Sequence, residues 1–188
     1  YETYINARVP RTNCPDCGVH QCQVPWAREG SGFTLLFEAL ILAFCKVMSV
    51  SACAKMVGEF DTRIWRVIHH YVDKAHAIKD WSKVSKIGVD ETSRKKGHTY
   101  VTNFVDTSTG ELLFMTPGKG AETFELFVEE LANHQGDPAN IEEIAMDMSP
   151  AFRSGAARHI PDATVVFDRF HVVQMVVTEM GLDAEILD

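Results

Sequence analysis

At 188 residues with 46% apolar content, the chain can bury a sizeable core in one or two domains, which excludes a disordered segment. Its formal charge of -8 is unevenly spread: residues 1–86 carry 11 Lys/Arg against 8 Asp/Glu, and residues 87–188 carry 7 against 18, giving +3 and -11. Five cysteines with no signal peptide ahead of them argue against a secreted disulfide framework and for a reducing cytoplasm. The most apolar run, Phe33 to Val50, is interrupted by Glu38 and Lys46 and reads as a buried helix rather than a membrane span, so no membrane partner is expected.

Residues 1–32 lack a sustained apolar period and are broken by Pro10, Pro15, Gly18, Pro25, Gly30 and Gly32, the pattern of a small knuckle followed by a linker. Within it, Cys14-Pro15-Asp16-Cys17-Gly18 is a C-x2-C turn that presents two sulfurs, half of a tetrahedral zinc site. His20 and Cys22 are cramped as the other half; a further cysteine pair upstream and a reduced, metal-free turn are the alternatives. Residues 33–80 turn helical, over Phe33–Val47, Ser51–Val57 and Thr62 to about Ala77, with Ser49 or Ser51 and Asp61 or Thr62 as N-caps. The second and third helices, joined by Gly58-Glu59-Phe60-Asp61, have the layout of a helix-turn-helix. It would offer Arg63, Arg66, His69 and His70 to DNA while Ile64, Val67 and Ile68 enter the core. A plain three-helix bundle with a solvated basic face is the competing reading.

From residue 81 to 188 the period becomes strand-like. Strands are predicted at Ile87–Glu91, His98–Val105 and Glu111–Thr116, then a helix over Ala121–Asn133, a strand at Ile141–Asp147, a helix over Pro150–His159, a strand at Thr164–Asp168 and a helix from Phe170. This is the element order of an α/β, ribonuclease-H-like fold, whose mixed sheet sets the first and fourth strands side by side. Two of those strands run apolar residues straight into an acid, at Ile87-Gly88-Val89-Asp90 and Ile144-Ala145-Met146-Asp147. Neighbouring strands would bring together carboxylates 57 residues apart (147 minus 90), an oxygen donor set suited to Mg2+ or Mn2+ and to two-metal phosphoryl transfer. Asp168 and His171 are candidates for the edge of that site, although Asp168 equally suits an N-cap. Arg94, Lys95 and Lys96 form a basic hairpin entrance suited to a phosphate backbone, with Arg153, Arg158 and His159 as weaker candidates for similar work.

Several blocks in this order resemble a known family. They are Arg8-Val9-Pro10-Arg11 before the cysteine knuckle, Val24-Pro25-Trp26-Ala27, Ile87-Gly88-Val89-Asp90-Glu91 with Lys96-Gly97-His98-Thr99-Tyr100, Met146-Asp147-Met148-Ser149-Pro150, and Val166-Phe167-Asp168-Arg169-Phe170-His171-Val172-Val173. Together they are similar to bacterial insertion-sequence transposases of the ISL-three family, to about Gln174. The resemblance implies a zinc-finger and helix-turn-helix unit that binds double-stranded terminal inverted repeats, then a DDE catalytic domain that cuts and joins target DNA with a divalent metal. It also implies a homo-oligomer when intact. Asp90 and Asp147 match the first two acids of the DDE triad.

The chain departs from the family at both ends. The family's finger has an earlier cysteine pair, whereas this chain begins at Tyr1; the family's glutamate lies on a later helix, whereas this chain ends at Asp188. Glu179 and Glu185 do not stand in the family's pattern, so the third acid is unassigned. The expectation is a transposase fragment with an incomplete catalytic core, a half zinc site at Cys14 and Cys17, and no activity by itself. Two other readings compete: a non-catalytic DNA-binding fragment that inhibits an intact transposase, and a ribonuclease-H-like nuclease unrelated to mobile elements.

Overall fold

The structure, a computed structural model, describes residues 4, 6–95, 99–168 and 173; of 94, 95 and 99 it describes the backbone. The chain divides into two compact units, Tyr1–His76 and Ala77–Asp188.

The first unit opens with an antiparallel hairpin, β1 (Arg11–Cys14) and β2 (Gly18–Gln21), in register from Arg11↔Gln21 to Cys14↔Gly18. The C-x2-C sequence is its turn, closed by Gly18 at φ +87°, a left-handed backbone that favours glycine. Sequence periodicity misses both strands because they are four residues long and almost wholly exposed.

Three helices follow: α1 (Leu35–Cys45), α2 (Val50–Val57) and α3 (Asp61–His76). Helix α1 starts two residues later than the apolar pattern suggests, because Thr34 caps it by accepting the Phe37 N–H at 3.2 Å. Ser49 caps α2 in the same way through Ala52 N–H at 3.3 Å, and Gly58, at φ +70°, ends it. Asp61 is the first residue of α3 rather than its cap, and its Oδ1 accepts the Thr62 N–H at 2.7 Å. Ile41, Cys53, Ala54, Ile64 and Val67 form the core of this unit.

Glu38, which interrupts the apolar run of α1, is fully buried. Its carboxylate accepts from Arg28 Nε at 2.9 and 3.1 Å, from the Ser31 hydroxyl at 2.5 Å and from the Tyr71 hydroxyl at 2.8 Å. A charge that would be costly alone is thereby paired and saturated, and it ties residues 28–31 to α1 and α3.

The second unit is built on a five-stranded mixed sheet in the order β5-β4-β3-β6-β7. Strands β3 (Lys86–Lys95), β4 (Thr99–Asp106) and β5 (Glu111–Pro117) form an antiparallel meander. After α4 (Glu122–Asn133), β6 (Glu143–Met146) pairs in parallel with β3; after α5 (Pro150–His159), β7 (Thr164–Phe167) pairs in parallel with β6. Strand β6 begins two residues beyond the expected Ile141, which instead closes a 3-10 turn over Pro138–Asn140. The helix expected from Phe170 lies outside the described residues apart from Val173, which is helical.

Helices α4 and α5 cover one face of the sheet. Phe104 of β4 stacks on Phe127 at 4.3 Å and meets Phe124 edge-on at 5.2 Å, while Phe124 also meets Phe152 of α5 at 6.0 Å. Gly155 permits this packing, since a Cβ there would lie 2.5 Å from the Phe124 ring. Ile87, Val89, Ile144 and Met146 point into the same core. By strand alternation, Gly88 and Ala145 face the other way.

Candidate functional site

The register of the sheet determines where the acids fall. Val89 pairs with Met146, and Met146 with Phe167, across β3, β6 and β7. The next residue on each strand is Asp90, Asp147 or Asp168, so three aspartates stand in one row at the carboxyl end of the parallel strands, with the Asp168 N–H bonded to Met146 O at 2.9 Å. Adjacent strands lie about 4.8 Å apart, so Asp147 stands between neighbours and Asp90 and Asp168 are two strand spacings from each other. Asp90 and Asp147 follow the core residues Val89 and Met146, and strand alternation directs them to the face opposite α4 and α5, whereas Asp168 follows Phe167 on the exposed strand β7.

One detail differs from expectation. Asp90 is not at a strand end: β3 runs on to Lys95 because its hairpin with β4 outlasts the short β6, and Asp90 pairs across that ladder with Asn103. It marks the point where the parallel partner stops. For the same reason Arg94 and Lys95 are residues of strand β3 rather than of a turn, while Lys96 lies outside the described residues, as does His171.

The carboxylates are held but not used up. Asp90 Oδ1 accepts its neighbour's Glu91 N–H at 2.8 Å, and Asp147 Oδ1 accepts the Ser149 N–H at 2.9 Å, the turn that launches α5 at Pro150. Each keeps Oδ2 without a partner among the described residues. Asp90 and Asp168 are exposed and Asp147 is half-buried.

Asn103, which sequence reasoning passed over, stands beside Asp90 in the ladder. Its amide donates to Thr92 Oγ1 at 2.9 Å, and its Oδ1 is buried with no partner among the described residues. Only the register of β3 against β4 reveals the pairing, since an Asn in an alternating strand carries no signal alone.

In the first unit, Cys14 and Cys17 sit together at the hairpin turn. The Cys14 thiol is lowered from its usual range, first by a hydrogen bond from Cys17 and then by the backbone N–H groups of Asp16 and Cys17. Cys17 is raised by the same shared bond. His20 Nε2 is occupied by Cys17 O at 2.9 Å, and no third ligand atom joins the cysteine pair within 4.8 Å among the described residues.

The two arginines offered to DNA differ. Arg63 is half-buried, its Nη1 on Glu59 at 2.6 Å and its guanidinium 4.2 Å over the Phe33 ring, so its charge is already partnered within the unit. Arg66 is exposed, with no partner among the described residues.

The chain thus has two parts, three helices in the first unit and a mixed sheet bearing aligned aspartates in the second. Comparison with known proteins identifies it further. Residues 87–181 match a family model described as transposase, of the ISL3 group, and residues 22–72 match one described as the helix-turn-helix domain of transposase family ISL3. The first match spans half of the chain, and the chain belongs to the ISL3 transposase family.

Among its relatives, a transposase for insertion sequence element IS1557 from Mycobacterium tuberculosis is 30% identical over 181 residues, covering 92% of this chain and 38% of that protein. A transposase for IS1001 from Bordetella parapertussis is 33% identical over 181 residues, covering 92% and 43%. The chain thus spans about two fifths of the length of these relatives. Among solved structures, the catalytic core of BIV integrase matches with TM-score 0.34 and 16% identity, over 52% of this chain and 63% of that one. A simian T-cell lymphotropic virus intasome matches with TM-score 0.38 and 15% identity, over 76% and 57%. No helix among the described residues is long and apolar enough to cross a membrane.

Proposed function

We propose that this chain supplies the DNA-binding part and the first two catalytic acids of a metal-dependent DNA transposase, with a ribonuclease-H-like sheet as the catalytic scaffold. The observation that carries the reading is the register. Asp90 and Asp147 each stand one residue beyond the paired Val89 and Met146, on adjacent strands, with one oxygen held by a backbone N–H and the other available.

That donor set fits a hard divalent cation, which takes carboxylate oxygens, and Mg2+ or Mn2+ is the assignment. Two carboxylates from adjacent strands suit a pair of ions about 3.5 to 4 Å apart. When bound, such a metal polarises the scissile phosphate and lowers the pKa of an attacking hydroxyl. The chain's own contribution is positional. Asp147 is fixed by the turn to Ser149, and Asp90 by the β3–β4 ladder, so neither has to reorganise as negative charge builds up. Asp168, a strand further on, belongs to the site edge, and Arg94 and Lys95, later residues of the same strand as Asp90, are assigned to the phosphate backbone by their charge. Attack is in line on phosphorus, by water for cleavage and by a 3'-hydroxyl for strand transfer, with no covalent enzyme intermediate.

In the organisation proposed, residues 1–32 are part of a zinc finger with Cys14 and Cys17 as ligands, 33–80 bind the terminal inverted repeats, and 81–188 begin the catalytic domain. The acting form is a homo-oligomer on double-stranded DNA in the cytoplasm. The test is excision, in cells, of a marker flanked by the element's ends, driven by the gene encoding this sequence within its full reading frame. Asp90→Asn and Asp147→Asn should each reduce excision by at least a hundredfold while protein levels stay constant; wild-type excision by either variant refutes the assignment.

A further inference from the structure

A cavity of about 10 Å³ in the first unit is lined by Arg28, Gly30, Ser31, Gly32, Arg63 and Arg66, over Phe33 and Val67. That volume admits about one water-sized group, which rules out a nucleotide or a base and suits a single anionic oxygen. We infer that the Gly30–Ser31–Gly32 loop and the arginines of α3 form a seat for one phosphate oxygen, and that its occupant is a phosphodiester of the DNA backbone. The DNA half of this inference rests on the function proposed above.

Three arginines line the space, and their charges are not equally compensated. Arg28 is paired with Glu38 and Arg63 with Glu59, so each of those charges is compensated. Arg66, exposed and with no partner among the described residues, leaves one uncompensated positive charge on the lining of the seat. Arg63 and Arg66 are three apart on α3 and therefore share a helix face. The two paired arginines act as preformed walls with N–H groups already in place, and the third supplies the attraction.

The loop is shaped for close approach. Gly30 adopts φ +71°, a left-handed conformation, and a Cβ on Gly32 would lie 2.5 Å from Arg63 Nη2. Any side chain at 32 would push that guanidinium out of its position, so the glycine keeps Arg63 at the wall. Ser31 is tied to Glu38 and to Phe33 N–H, which holds the loop against the helices. The seat therefore positions the unit on the duplex rather than reading bases, since contacts to phosphate carry register but not sequence.

The experiment uses the full 188-residue chain, a fluorescein-labelled duplex of random sequence read by anisotropy across a salt series, and inorganic phosphate in a thermal-shift assay. For Arg66→Ala the expected result is about a tenfold weaker affinity and a fall of about one in the slope of log affinity against log salt. Gly32→Ala, which asks only a flexible side chain to move, should fold normally and lose affinity for the duplex by a smaller factor; Arg66→Lys should recover most of the slope. Wild-type affinity and slope in Arg66→Ala overturn the seat. Should the wild-type chain bind no duplex, the DNA reading fails, and inorganic phosphate then judges the seat itself. A stabilisation by phosphate that Arg66→Ala abolishes supports an anion seat while overturning its assignment to DNA, and no stabilisation of the wild type overturns both.

Discussion

Glu38 in the first unit and Asp90 and Asp147 in the second are carboxylates that the two folds treat in opposite ways. Glu38 is sealed from water and has three side-chain donors, so every strong acceptor direction is occupied. Asp90 and Asp147 each receive one backbone N–H and face outward from the sheet with an oxygen to spare. A saturated carboxylate holds a structure together and has nothing left to offer a ligand; an under-used one costs little to stability and is available for chemistry. Removing the first should therefore unfold, and removing the others should disarm.

The comparison is broken most directly at Glu38. Glu38→Ala leaves the half-buried Arg28, Ser31 and Tyr71 without their shared acceptor and should cost about 3 kcal/mol, read from denaturant unfolding by the fluorescence of Trp65, which lies on α3 of the same unit. A loss under about 1 kcal/mol would show the network to be ornamental. Tyr71→Phe removes one donor to a charged acceptor and should cost about 1.5 to 3 kcal/mol.

The same residue sharpens the comparison through pH. Burial first, and then the bond to Glu38, raise the Tyr71 phenol above its ordinary value of 10.0. Because the folded value is the higher one, the neutral phenol's contribution is fully present below pH 10 and is lost as pH climbs through the raised value. Wild-type stability should therefore fall in that alkaline window, and Tyr71→Phe should flatten the fall. An unchanged profile would mean that the phenol is not the group responsible.

A smaller effect is expected at the helix cap. Ser49→Ala removes the bond to Ala52 N–H and should cost about 1 kcal/mol by the same unfolding assay. The smallest stability effects belong to Asp90→Asn and Asp147→Asn, each within about 0.5 kcal/mol, because asparagine keeps the side-chain oxygen that accepts the backbone N–H. Were either variant to lose several kcal/mol, the site residues would be structural after all.

The two kinds of carboxylate were unequally legible in the sequence. Asp90 and Asp147 stand out because each follows directly on a short apolar run, although Asp90 lies within β3 rather than at its end, and helix α5 was read to its limits because Pro150 opens it and a basic turn closes it. The row of three aspartates needed only the parallel order of β3, β6 and β7, which element order already suggested. Glu38 looked like a mere interruption of an apolar run, since its partners lie 10 and 33 residues away and only tertiary packing brings them together. Arg63 was legible in part: its spacing on α3 fits a DNA-facing residue, but its pairing with Glu59 one turn earlier was not read. The hairpin of β1 and β2 was invisible as strands because it buries almost nothing, and without burial there is no periodicity to read.

The central claim is that Asp90 and Asp147 together hold a divalent cation, and the most direct measurement is calorimetric titration of Mn2+ into the wild-type chain and into Asp90→Asn and Asp147→Asn. Saturable binding by the wild type that weakens by at least tenfold in each variant, with Glu38→Gln unaffected so long as it stays folded, is the predicted result. Equal binding by all four proteins, or none by the wild type, would contradict it.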